Sequence, residues 1–269
     1  MPVEIIILLL CVGIGSIVGI LAGMLGIGGG LIIVPALTYM LSYFLGLSPF
    51  LTITIAIATS LSTIILTGLS SSRAHYALGN VKRDIVWYCA LGIALGASFG
   101  AQTASVLDGR ILKGIFAALV ILVAVQMIFG KKSSSSVSYT PGILLVTGLI
   151  AGFLSALMGI GGGALLVPAL VLFRVELRQA IGCAAVCGLV IALFGTINFV
   201  YTGWSVPELP PYSLGYVYLP AALGIVLSSV FTAPVGARWG QAMDTVKLKR
   251  FFALFLVIVS IRMLYDIGV

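Results

Sequence analysis

Met24–Leu37 reads MLGIGGGLIIVPAL, and Leu157–Leu170 reads LMGIGGGALLVPAL. With an offset of 133, nine of the thirteen residues in Leu25–Leu37 recur in Met158–Leu170. The likeness continues more weakly on either side. AIATSL at Ala56–Leu61 aligns with AIGCAA at Ala180–Ala185, an offset of 124. LDGRILKGIFAAL at Leu107–Leu119 resembles MDTVKLKRFFAL at Met243–Leu254. The chain therefore reads as a tandem repeat, with 1–130 as the first half, 131–141 as a linker and 142–269 as the second half. The linker region, GKKSSSSVSYTPG at Gly130–Gly142, is polar and lacks helical periodicity.

Each glycine cluster is embedded in apolar sequence, and the composition says why. Of the 269 residues 61% are hydrophobic and 8% charged, far below the roughly one quarter that covers a soluble globule. The mean hydropathy is +1.26. Such a chain takes lipid as its solvent. Its long continuous apolar runs, such as ILKGIFAALVILVAVQMIF from Ile111, point to helices rather than the short alternating strands of a β-barrel. The first apolar run carries Glu4 and no basic flank, so it reads as a retained helix rather than a signal peptide. Cys11, Cys89, Cys183 and Cys187 all fall in apolar runs and form no disulfide or zinc pattern, and no cofactor is expected.

Five apolar segments lie in each half. They cover about 4–22, 31–45, 50–70, 86–106 and 111–129, then 143–157, 164–173, 178–200, 214–233 and 248–267. The net charge of +7 is explained by basic cytoplasmic loops and not by nucleic acid. Placing Arg73, Lys82, Arg83, Lys131, Lys132, Arg174, Arg178, Arg238, Lys247, Lys249 and Arg250 inside puts 11 of the 14 basic residues in the cytoplasm. The loop YTGWSVPELPPYS has no Lys or Arg and faces outward, while its counterpart RAHYALGNVKRD is basic and faces inward. Equivalent loops on opposite sides make the two halves inverted repeats, an architecture that places substrate near the bilayer midplane. Both termini are then periplasmic and the linker cytoplasmic, in a bacterial inner membrane.

The segment at 164–173 has ten residues, about 15 Å of helix, or half of a hydrocarbon core. Segments 6 and 7 accordingly enter and return on one side, turning at Gly159–Gly163; segments 1 and 2 do the same from the other face, turning at Gly26–Gly30. Non-helical backbone at that depth survives only against protein or a polar cavity. Gly26, Gly28, Gly29 and Gly30, with Leu31 opening the next helix, face Gly159, Gly161, Gly162, Gly163 and Ala164 in the same roles. Two helix N-termini beside glycine amides form an anion site. The alternative is that the glycines only pack helices closely. Pro35 and Pro168 come too late to start these helices and instead perturb them.

The doubled GIGGG…VPAL, the ATSL helix and the GNV loop together resemble the TauE/SafE sulfite-exporter family over essentially the whole chain. That resemblance implies a bacterial transporter of sulfur-containing anions or organosulfonates, such as sulfite or sulfoacetate.

Other polar residues extend the candidate pathway. Thr52, Thr59, Thr63, Thr67 and Ser70 form one stripe on segment 3, with Ser60 beside it. Thr59 and Thr63 map to Cys183 and Cys187 in the second half, so the halves are not chemically equivalent. Asn198 and Gln102 are further amide donors, with helix–helix bonding as their alternative. His75 beside Arg73 is a gating candidate or a solvated loop histidine. All seven carboxylates fall near predicted ends or loops, which disfavours a cation site.

The expectation is an all-α polytopic membrane protein, a non-enzymatic secondary transporter moving a small anion by alternating access. A channel or a carrier of small organic carboxylates is the alternative. The expected partners are the small anion, the lipid bilayer and, in a homo-oligomer, a second copy.

Overall fold

The structure, a computed structural model, describes residues 2–26, 28–129, 139–244 and Leu254. They form nine helices: α1 (Val3–Leu25), α2 (Gly30–Leu45), α3 (Pro49–Ala77), α4 (Arg83–Val106), α5 (Gly109–Phe129), α6 (Pro141–Met158), α7 (Gly163–Leu172), α8 (Leu177–Gly203) and α9 (Leu219–Ala242). A two-stranded hairpin, β1 (Ser213–Leu214) and β2 (Val217–Tyr218), precedes α9. The protein is an all-α polytopic membrane protein. Six of these helices are long and apolar enough to cross a membrane, and α2 and α7 are the shorter apolar ones. The tenth segment expected at 248–267 and most of the linker lie outside the described residues.

Helix ends follow local chemistry. Ser48 Oγ and Thr140 Oγ1 accept the amides of Leu51 and Ile143, with Pro49 and Pro141 at the first helical positions. α1 and α6 each stop on a glycine in the left-handed region, Gly26 (φ +66°) and Gly159 (φ +69°).

Two pairs of helices pack backbone to backbone. Gly15, Gly19 and Gly23 of α1 face Ile225, Ser229 and Ala233 of α9, while Gly236 and Gly240 face Ile20 and Met24. Contacts that advance together along both chains make the pair parallel. Gly92, Gly96 and Gly100 of α4 likewise face Leu145, Leu149 and Phe153 of α6, again in parallel. These are the small-residue seams by which helices associate in lipid. The two pairings are equivalent under exchange of halves. Between them, α3 and α8 run antiparallel: Gly195 meets Leu61 and Gly68 meets Leu189.

Three boundaries depart from the sequence reading. α1 has 23 residues, about 34 Å, longer than the 4–22 read from the sequence, and is long and apolar enough to cross a membrane. α3 runs seven residues past Ser70, because Ser71, Ser72 and His75 are buried on it. α9 begins at Leu219 instead of 214, since the preceding residues fold into the hairpin around Gly215 (φ +54°).

Candidate functional site

The two glycine turns touch. A side chain added at Gly28 (φ +73°) would lie 3.0 Å from Gly161 Cα and 2.9 Å from Ile64 Cγ2. One added at Gly30 would strike the Gly159 carbonyl, and one at Gly188 of α8 would strike the Gly161 carbonyl. The turns overlap rather than meet tip to tip. Gly26 sits on Ile181 of α8 and Gly159 sits on Ile57 of α3. Positions 57 and 181 are themselves related by the offset of 124 that aligns the ATSL helix with its counterpart.

After each turn a helix starts from a left-handed glycine, Gly29 (φ +81°) for α2 and Gly162 (φ +74°) for α7. In α2 the amides of Ile32 and Ile33 both donate to the Gly29 carbonyl. Gly30 and Leu31 are the first two residues of α2. In the second turn Gly162 N donates to Ile160 O and Gly163 N to Gly161 O, and α7 starts at Gly163. Both helices continue through their prolines, Pro35 and Pro168.

A small pocket lies between the turns. It is lined by Ala22, Gly26 and Gly28 of the first cluster's surroundings, Ile64, Thr67, Gly68 and Ser71 of α3, and Gly161, Ala185 and Gly188. It encloses about 220 Å³ of space between atoms, nowhere wide enough for a water molecule. Four of the residues singled out in the sequence line it: Gly26, Gly28, Gly161 and Thr67. Ser71 was missed, although a spacing of four carries the stripe Thr59, Thr63, Thr67 directly to it. Ser71 Oγ is buried and has no hydrogen-bond partner, whereas Thr67 Oγ1 shares a 2.6 Å hydrogen bond with Ser229 Oγ.

The other hydroxyls of the stripe hold the frame. Ser60 Oγ donates to Gly159 O at 2.8 Å, tying α3 to the second turn. Thr59 Oγ1 accepts the Tyr218 amide at 3.0 Å, tying the hairpin to the same stretch of α3. Thr63 Oγ1 donates back to Ser60 O at 2.7 Å, and Ser70 Oγ donates to Val230 O. Burial in the hairpin pushes the Tyr218 phenol up to about 12, helped by nearby Glu4 and Cys11, so the ring stays neutral.

Several candidates are placed away from the pocket. Gln102 Nε2 donates to Asn198 Oδ1 at 3.2 Å, so these two amides link α4 to α8. Cys183 Sγ accepts the Lys82 amide at 3.3 Å, and Cys187 lies beside Cys89 of α4. Both cysteines thus face α4 and the loop before it. His75 is not a solvated loop residue. It is buried at the end of α3, where Nε2 donates to Gly23 O at 3.0 Å and Nδ1 accepts from Asn80 Nδ2 at 3.4 Å. A carbonyl can only accept, so this arrangement holds the neutral imidazole and fastens α3 to the last turn of α1.

With that geometry in place, the chain was compared with known proteins. A family model described as "Sulfite exporter TauE/SafE" matches residues 11–263. A "Probable membrane transporter protein" of Haemophilus influenzae is 40% identical over 258 residues, covering 95% of this chain and 97% of its own. Similarly named proteins of Methanocaldococcus jannaschii and Bacillus subtilis are 27% and 25% identical, each matched over more than nine tenths of both chains. No solved structure matches.

Proposed function

The chain belongs to the sulfite exporter TauE/SafE family, and from that premise we propose that it is a secondary transporter whose substrate is a small sulfur-containing anion, such as sulfite or an organosulfonate. That it is a multi-pass membrane transporter follows from the family and the six apolar helices. The substrate and the route are the proposal. The observation that carries it is the contact of two matching glycine turns around one pocket, each turn leading into a helix N-terminus. Amides at such termini carry partial positive charge and favour an anion.

In this reading the halves are inverted repeats that rock against each other, exposing the pocket alternately to the two sides. The exchange-equivalent pairings α1 with α9 and α6 with α4 support it, as do Gly26 on Ile181 and Gly159 on Ile57. The termini face the periplasm of a bacterial inner membrane. Thermal unfolding of the purified protein tests the substrate class. Sulfite, thiosulfate, sulfate, sulfoacetate, taurine, acetate and lactate are compared at matched ionic strength and pH. A bound anion at 100 times its Kd stabilises the fold by about 2.7 kcal/mol. A concentration-dependent shift with a sulfur oxyanion or sulfonate supports the proposal. No shift with any anion counts against it, and a shift with acetate or lactate alone moves the substrate to carboxylates.

A further inference from the structure

A second space, distinct from the pocket between the glycine turns, lies between α3 and α9. It is a groove of about 790 Å³, lined by α3 from Leu66 to Leu78 and by α9 from Val226 to Arg238. The two helices run in parallel here: Thr67 bonds Ser229, Ser70 bonds Val230, and Asn80, just past α3, bonds Gln241. Phe231 on the groove wall is 76% exposed, so the groove opens to the side that a bilayer occupies. Local chemistry keeps its floor apolar. Pro234 inside α9 has no amide, so the Val230 carbonyl four residues back loses its helical donor. Ser70 Oγ donates to that carbonyl at 2.8 Å, which satisfies both groups at membrane depth. Apart from Ser70, Arg73 and Arg238, every lining residue is apolar, and no carboxylate is among them.

The groove has the length and the charge of a lipid site. Along α9, Val226 to Arg238 spans about 18 Å of helix, against about 15 Å for half of a hydrocarbon core. An acyl chain lying in it therefore ends at the arginines. Arg73 and Arg238 each stand near the C-terminal end of their helix, and both are exposed. By the pairings above, Arg73 is about one turn deeper than Arg238, a distance that a long snorkelling side chain spans. Trp239 and Tyr76, both more than half exposed, stand within three residues of the arginines and mark the level of the membrane–water interface. The two guanidinium groups bring two positive charges. The C-termini of α3 and α9 oppose them by about half a charge each, so about one net positive charge remains. That balances a phosphodiester, which is singly negative and takes paired N–H donors from arginine. The cation of a zwitterionic headgroup has no lining carboxylate to meet.

We propose that this groove binds one anionic phospholipid, with an acyl chain between α3 and α9 and its phosphate held by Arg73 and Arg238. In the orientation expected from the loop charges, the lipid belongs to the cytoplasmic leaflet, where basic pockets between helices meet anionic headgroups. The site does not depend on which substrate the protein carries. Native mass spectrometry of the full chain in a neutral detergent tests it. Phosphatidylglycerol and phosphatidylcholine with the same acyl chains are titrated separately, and glycerol 3-phosphate serves as a headgroup without chains. The first phosphatidylglycerol is expected to bind about tenfold or more tightly than the first phosphatidylcholine, and glycerol 3-phosphate is expected not to bind. Arg73→Gln combined with Arg238→Gln should weaken phosphatidylglycerol by about 30-fold, the lost attraction of two basic residues for an anionic lipid. Ala74→Phe fills the groove, leaves both charges in place and should lose the tight first binding event. Arg110→Gln combined with Lys113→Gln removes the same charge from α5 and should leave that event unchanged. Equal binding of the two lipids, an unchanged affinity in the double arginine variant, or an equal loss in the α5 control overturns the proposal. So does tight binding of glycerol 3-phosphate alone, which would make this an ion site, or a dimer mass abolished by Ala74→Phe, which would give the groove to a second copy. The comparison of the two lipids on the unaltered protein stands whether or not a variant folds.

Discussion

At single residues, the strongest constraints are on backbone. Gly28 combines a left-handed φ with a contact to the opposite turn, so a branched side chain there meets both strain and collision. Gly28→Val is expected to abolish anion transport while the protein still inserts in the membrane, measured as uptake per folded protein in vesicles. Ser60→Ala removes the bond to Gly159 O and is expected to cost about 1–3 kcal/mol, seen as a lower unfolding midpoint. The glycine turns were legible in the sequence because no other residue makes left-handed turns and close backbone contacts so freely. Ser71 was not, since Ser70, Ser71 and Ser72 stand together and only packing decides which faces the pocket. The cysteines aligned with Thr59 and Thr63 gave no sign that they would face α4.

At the level of elements, glycine serves a second purpose. The spacing of four in Gly15, Gly19 and Gly23, and in Gly92, Gly96 and Gly100, builds seams and not sites. Gly96→Leu would drive a side chain into the Leu149 and Phe153 backbone, and overpacking of this kind costs about 1–3 kcal/mol or more. Its expected mark is lost thermal stability with anion affinity retained in the protein that folds. The hairpin gives the opposite case. Residues 214–218 read as the start of the ninth apolar segment, and Tyr216, Val217 and Tyr218 are buried against the helices, yet as hairpin and not as helix. Alternation over two-residue strands is too short to signal a fold. Thr59→Val keeps the shape and removes the acceptor for the Tyr218 amide. It should lower stability by about 1–3 kcal/mol and raise proteolysis within Trp204–Tyr218.

For the whole molecule, the doubled glycine motif is readable from the offset of 133, and the charge distribution assigns each loop a side as an expectation that labelling tests. What the sequence does not encode locally is which helices pair across halves, because the seams α1–α9 and α4–α6 join residues far apart in the chain. Sidedness is testable with the native cysteines as a quiet background, since all four are buried. Glu208→Cys should be labelled from the periplasmic face and Asp84→Cys from the cytoplasmic face, by impermeant maleimide in intact cells and inverted vesicles. Both residues are exposed in the structure. Labelling of both from one side would contradict the inverted arrangement.

The claim on which the rest depends is that the paired glycine turns hold the transported anion. Counterflow of radiolabelled sulfite into proteoliposomes measures it most directly. The wild-type protein is expected to accumulate label faster when unlabelled sulfite is loaded inside, and Gly28→Val and Gly161→Val are expected to abolish that stimulation in protein that remains folded. Counterflow at the wild-type rate in both variants would contradict the account.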